Sequence, residues 1–169
     1  MPVFRAARAP GDAWGLAFAL NPVCIIDIMI CLTVWGEVMA DIEKLNEITH
    51  SIIGCAISVH QQHGPGLLES AYECCLASEL QSKGHKVQRQ VLCPLKHNDV
   101  YLPKAFRVDL IVDALVIVEI KAVERLLLIH RSQILHYMHL LHKEIGLLIN
   151  FRTRLLKHGI QRYRLWECD

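Results

Sequence analysis

The sequence has almost no net charge to offer a partner: 18 Lys and Arg stand against 17 Asp and Glu, a formal +1. The chain as a whole is therefore no electrostatic sponge for nucleic acid. Its seven cysteines include no C-x-x-C pair, and the adjacent Cys74 and Cys75 cannot easily bridge each other within a helix. Zinc-ribbon spacing and a disulfide framework are both missing, which suits a reducing, cytoplasmic setting with the cysteines as small core fillers. Ten histidines are present without an H-E-x-x-H pattern, so they read as scattered residues rather than a zinc site. Internal repeats and low-complexity tracts are lacking too. What the chain does have is apolar bulk, 53% of 169 residues, enough for one domain with a real core and too little for two.

Charge is unevenly spread. From Arg125 onward eight Lys and Arg face three acids, so the C-terminal third could lie against a phosphate backbone. Arg152, Arg154 and Arg162 are the candidates for such contacts. A solvated surface of mixed charge accounts for the same count.

The first 38 residues are a different kind of sequence. Ala13 to Trp35 is strongly apolar and about the roughly 20 residues a membrane span needs. Asn21-Pro22 and Asp27 oppose a span. Arg5 and Arg8 would give a signal peptide its positive start, but secretion clashes with the cysteine pattern. The composition changes at Met39, which reads as a natural start preceded by an extension without recognisable chemistry. The expected division is an apolar extension, 1–38, and one domain, 39–169.

Within the domain, Ile42, Leu45, Ile48, Ile52, Ala56 and Val59 recur at helical spacing, with Asp41 as the expected cap and Gly64-Pro65-Gly66 as the stop. A second helix is expected from Leu67 to Lys83, with Leu68, Tyr72, Cys75 or Leu76, and Leu80 inward and Gly84 as terminator. Extended segments follow at Val87–Leu95, Phe106–Val112 and Leu115–Lys121, separated by His97-Asn98-Asp99 and Asp113-Ala114. Ser132 is placed to cap a third helix with Ile134, Met138 and Leu141 buried. Gly146 opens an apolar strand, Leu147–Ile149, and Gly159 precedes a last strand through Trp166. The order is α-α-β-β-β-α-β-β.

Alternation along Leu115–Lys121 puts Leu115, Ile117, Glu119 and Lys121 on one face. Two ionisable groups thus interrupt an otherwise buried strand, and Asp109 does the same between Val108 and Leu110. A tight hairpin brings Asp109 near Glu119, where carboxylates repel unless a cation lies between them. Mg²⁺ held by one or two carboxylates plus water and phosphate oxygens would serve, with Lys121 at the rim. A structural salt bridge from Asp109 or Glu119 to Lys121 or Arg107 fits the spacing equally. Glu69 in the first turn of the second helix is explained by the helix dipole alone.

Taken in order, several segments resemble a known family. Gly66-x-x-Glu69-x-x-Tyr72 is similar to the signature of the GxxExxY proteins, a branch of the PD-(D/E)XK nuclease superfamily. The likeness runs from about Ile48 to Tyr163, through Arg107-Val108-Asp109-Leu110, Val118-Glu119-Ile120-Lys121, Gln133 with Tyr137, and Gly146–Phe151. It implies an α/β fold with a restriction-endonuclease-like core, a mixed central sheet flanked by helices. It also implies that Asp109, Glu119 and the backbone carbonyl of Ile120 ligate Mg²⁺ or Mn²⁺. Lys121 would be the catalytic lysine, Glu69 an acid contacting the metal or its waters, and Gln133 a polar group near the site. Asp113-Ala114-Leu115 departs from the glycine turn that would make the hairpin easier.

Two functions follow. One is a metal-dependent phosphodiester hydrolase acting on DNA or RNA. The other is a non-catalytic module of the same fold that binds nucleic acid or protein, against which the intact Asp-Glu-x-Lys set speaks.

Overall fold

A computed structural model describes residues 22–165, with side chains from residue 41 onward. The expectations about the N-terminal segment rest largely on residues outside this range, as does Trp166. The domain occupies Ala40–Asp169 and is described by itself. Among the described residues no helix is long and apolar enough to cross a membrane.

Helix α1 (Pro22–His63) runs through Asp41, which is therefore a helical residue and not the expected cap. The apolar stripe behaves as its spacing requires: Leu45, Ile48, Ile52, Ala56 and Val59 are buried. Helix α2 (Glu69–Ser82) buries Tyr72, Leu76 and Leu80, but Leu68 is 77% exposed and not part of the inner face. Gly84, at φ +88°, ends the helix in a left-handed conformation that glycine accepts without strain.

Five strands form one sheet in chain order: β1 (Val87–His97), β2 (Val100–Val112), β3 (Val116–Lys121), β4 (Ile145–Asn150) and β5 (Ile160–Arg164). Only β3 and β4 are parallel, joined across the sheet by α3 (Leu128–Leu140). Parallel neighbours need such a crossover, whereas the antiparallel pairs close with short turns. The element order and the mixed sheet agree with the expected α/β architecture.

The sheet separates two cores. Val116, Val118, Ile120, Leu147 and Ile149 pack with α1 and α2 on one side. Ile111, Ile117 and Leu148 meet Ile134, Tyr137 and Met138 of α3 on the other. Alternation along β3 assigns Glu119 and Lys121 to the face of Ile117.

Three local features differ from expectation. β2 begins at Val100 rather than Phe106, because its first residues pair only with β1 and form an exposed two-stranded arm without a buried face. α3 begins at Leu128 rather than after Ser132, and the ring Nδ1 of His130, at the third helical position, accepts the amide of the N-cap residue Leu127 where the Glu or Gln of a capping box would. The β2–β3 turn closes without glycine, with Asp113 and Ala114 at φ +52° and +59°. Asp113 makes this tolerable by exchanging bonds with Lys86: its amide donates to the Lys86 carbonyl and its Oδ1 accepts the Lys86 amide, both at 2.8 Å. His85 adds a contact to Asp113 Oδ2 at 2.6 Å.

Cys55 and Cys93 are buried fillers, whereas Cys74 is exposed and Cys75 half-buried. The difference follows the outer face of α2, which the core does not cover.

Candidate active site

β2 and β3 pair as Val112 with Val116, Ile111 with Ile117, and Leu110 with Val118. Asp109 and Glu119 are the next residues along the two strands, close enough for the charge of Asp109 to act on Glu119. The ladder stops there, and the amide of Ile120 donates instead to Oδ2 of Asp109 at 2.9 Å. On the other flank, β1 pairs Arg89 with Leu110 and Val91 with Val108 but skips Gln90 and Asp109. Gln90 has φ +52°, a strained value for a residue with a side chain. Asp109 thus sits at a gap in the pairing on both sides.

Glu119 is only 1% exposed. Its Oε1 accepts Lys121 Nζ at 2.6 Å, while Oε2 is buried with no hydrogen-bond partner. Burial, joined by the charges of Asp109 and Glu69, pushes its pKa up to about 7 against the pull of Lys121. Asp109 is raised as well, first by burial and then by Glu73 and Glu69, against the Ile120 amide and Lys121. For Lys121, burial disfavours the charge, but the bond to Glu119 and the acids around it outweigh that, and its pKa is raised. Burial leads in raising both carboxylates, and the negative charge gathered around Lys121 adds to that while keeping the lysine protonated.

Glu69 reaches the site from the start of α2, its Oε1 accepting the amide of Ala122 at 2.9 Å. Tyr72 makes that position reproducible. Its hydroxyl donates to the Gly64 carbonyl at 2.5 Å and accepts the Leu67 amide at 3.0 Å, pinning the loop that leads into Glu69. Its ring stacks on Phe151 at the end of β4. Asn150 fixes the segment beyond Lys121, its side chain bonding both the amide and the carbonyl of Val123.

Asp109, Glu69 and Ala122 border a cleft of about 1000 Å³ whose wall also includes Arg89, Arg107 and Arg152, while Glu119 and Lys121 lie behind it and are not among its lining residues. Glu73, nearly buried, accepts Arg89 Nε at 2.9 Å and is also bonded by Gln90 Nε2. Sequence reasoning missed Glu73, Arg89 and Gln90. Glu73 lies four residues after Glu69, hence one turn along the same helix face, and that spacing was the available signal.

Asp109, Glu119, Lys121 and Glu69 are therefore brought together. Gln133 sits within α3, donating to Tyr137 Oη at 2.9 Å, and like Glu119 and Lys121 it is not among the residues that line the cleft. Arg152 borders the cleft, Arg154 borders a neighbouring cavity, and Arg162 on β5 donates to Asn46 of α1 at 2.7 Å.

Among the described residues no three His, Cys, Asp or Glu side chains form a ready ion cage. Mg²⁺ does not need one, since one or two carboxylates with water and phosphate oxygens suffice. The buried, unpartnered Glu119 Oε2 beside Asp109 fits that requirement.

A family profile described as the PD-(D/E)XK nuclease superfamily matches residues 46–163. No curated protein and no solved structure matches the chain.

Proposed function

The chain belongs to the PD-(D/E)XK nuclease superfamily, and from that premise we propose that it is a metal-dependent phosphodiester hydrolase acting on DNA or RNA. Gly66, Glu69 and Tyr72 support assigning it to the GxxExxY branch. A reducing, cytoplasmic setting belongs to the same reading, supported by the free thiols of Cys55, Cys74, Cys75 and Cys93 among the described residues.

Asp109, Glu119 and the Ile120 carbonyl would hold Mg²⁺ or Mn²⁺. The ion, when bound, supplies Lewis acidity toward a phosphate oxygen and a lowered pKa for water. Lys121, kept charged by its acidic neighbours, orients the attacking water and offsets charge that develops on the phosphate. Glu69 fixes the segment after Lys121 through the Ala122 amide. The observation that carries this reading is Glu119 Oε2, a carboxylate oxygen buried without any partner. Such an atom costs several kcal/mol unless a cation or proton meets it.

The test uses purified protein with plasmid, single-stranded DNA and RNA, in Mg²⁺ or Mn²⁺ and with chelator. Cleavage should require the ion and disappear in Asp109→Ala and Lys121→Ala. Every substrate left intact, with no ion-dependent rise in melting temperature, would overturn this reading and favour the non-catalytic module.

A further inference from the structure

The loop after β4 presents its cations to two neighbouring cavities. Arg152 borders the acidic cleft, whereas Arg154 and Lys157 border a second cavity of about 510 Å³. Pro65 borders both, so the Gly64-Pro65-Gly66 turn is the ridge between them. The second cavity has room for a ligand of nucleotide size.

This loop is held rigidly. The Phe151 amide donates to the Lys121 carbonyl at 2.8 Å, and the Arg152 amide donates to Asn150 Oδ1 at 3.2 Å. Thr153 Oγ1 bonds the carbonyls of Asn150 and Leu155, and the His60 ring meets the Thr153 carbonyl at 2.8 Å. At its far end, Gly159 lies so close to the Asn150 carbonyl that an added Cβ would come within 2.3 Å. Arg154 and Lys157 are exposed, and no ion pair among the described residues includes either one. Arg152 has only an exposed contact to Glu124 at 3.9 Å, a pair of the kind that contributes little. Leu155, 52% exposed, adds an apolar lip to the second cavity. Arg154 and Lys157, exposed on a hydrogen-bonded loop and without an ion-pair partner among the described residues, match with the apolar lip the backbone and sugar or base faces of a single nucleic-acid strand.

We propose that this second cavity is a subsite for the substrate strand beyond the scissile bond, with Arg154 and Lys157 holding its phosphates after it crosses the Pro65 ridge. The subsite rests on the nuclease reading for the position of the scissile bond but not for its binding. It predicts a single strand rather than an intact duplex on that side of the cut.

The test compares the full chain with the Arg154→Ala, Lys157→Ala double variant. Binding is read by fluorescence anisotropy in chelator, with single-stranded DNA of about four and about 16 nucleotides. Wild type should prefer the longer strand. The variant should lose about tenfold affinity for it while keeping its affinity for the short one. The slope of log affinity against log salt should fall by about 1.4, as two phosphate contacts at about 0.7 each require. On a substrate that is cleaved, KM should rise with kcat unchanged. Unaltered long-strand affinity in the variant, or equal competition by inorganic phosphate and the long strand, would overturn the subsite. Absence of cleavage with length-dependent binding intact would overturn only the nuclease reading.

Discussion

Tyr72 stacks on Phe151 with ring centroids 4.3 Å apart and 13° between the planes. One ring belongs to the helix that starts with Glu69, the other to the strand end that leads into Arg152. Removing either should loosen both walls of the cleft. Tyr72→Phe leaves the Leu67 amide without its acceptor and should cost about 1–2 kcal/mol. Phe151→Ala should cost about 3–5 kcal/mol. Urea denaturation measures both, and a Tyr72→Phe protein as stable as wild type would show that the hydroxyl does not hold the loop.

Glu119 sets a pH dependence in metal-free protein. Its folded pKa is raised from 4.5 to about 7, so the folded state holds the proton more tightly than the unfolded chain. Its favourable contribution is complete below 4.5 and is lost as pH rises through about 7. Asp109, also raised, tilts stability the same way. Melting temperature in chelator should fall for wild type across this window and fall less for Glu119→Gln. Parallel curves for the two proteins would refute the assignment.

A divalent ion should reverse that loss. Mn²⁺ or Mg²⁺ at a hundredfold excess over Kd should stabilise wild type by about 2.7 kcal/mol. Asp109→Asn should abolish most of the gain, read by thermal unfolding with and without the ion. A gain of equal size in the variant would place any bound ion elsewhere.

Asp113 works in the opposite direction. Burial disfavours its charge, but the His85 contact and the Lys86 amide outweigh burial and hold its pKa below 3.8. Its contribution is present above the unfolded value and lost as pH falls through the folded one. Asp113→Asn should cost about 1 kcal/mol at neutral pH, with the difference from wild type vanishing in strong acid. A difference that persists in acid would mean that the turn itself, not the charge, is at stake.

Gly159→Ala should destabilise by about 1–3 kcal/mol, because the new methyl meets a backbone oxygen and Thr153 rather than a side chain that can swing away. Oligonucleotide affinity should drop as well, since the displaced segment carries Arg154 and Lys157.

How far the sequence was legible depended on burial. The stripe from Leu45 to Val59 and the alternation through Val116–Lys121 were readable because each has a core to face. The acid pair was readable for the converse reason: charge stood where burial was expected. The early part of β2 was not, since Val100, Tyr101 and Leu102 are exposed and their pairing leaves no periodic trace. The start of α3 was hidden because a histidine ring takes the capping role. Glu73 and Arg89 were missed because their importance comes from a contact between α2 and β1, which composition does not encode. Of the three C-terminal arginines, the one on β5 is turned to Asn46, and only the fold could separate it from the other two.

The missing pairings around Asp109 reach beyond chemistry. A sheet resists deformation through its cross-links, and here β2 is released from both neighbours at Asp109. Amide hydrogens near Gln90 should exchange with solvent sooner than those of Leu147 or Val118, making the seat of the acids the first part of the layer to breathe.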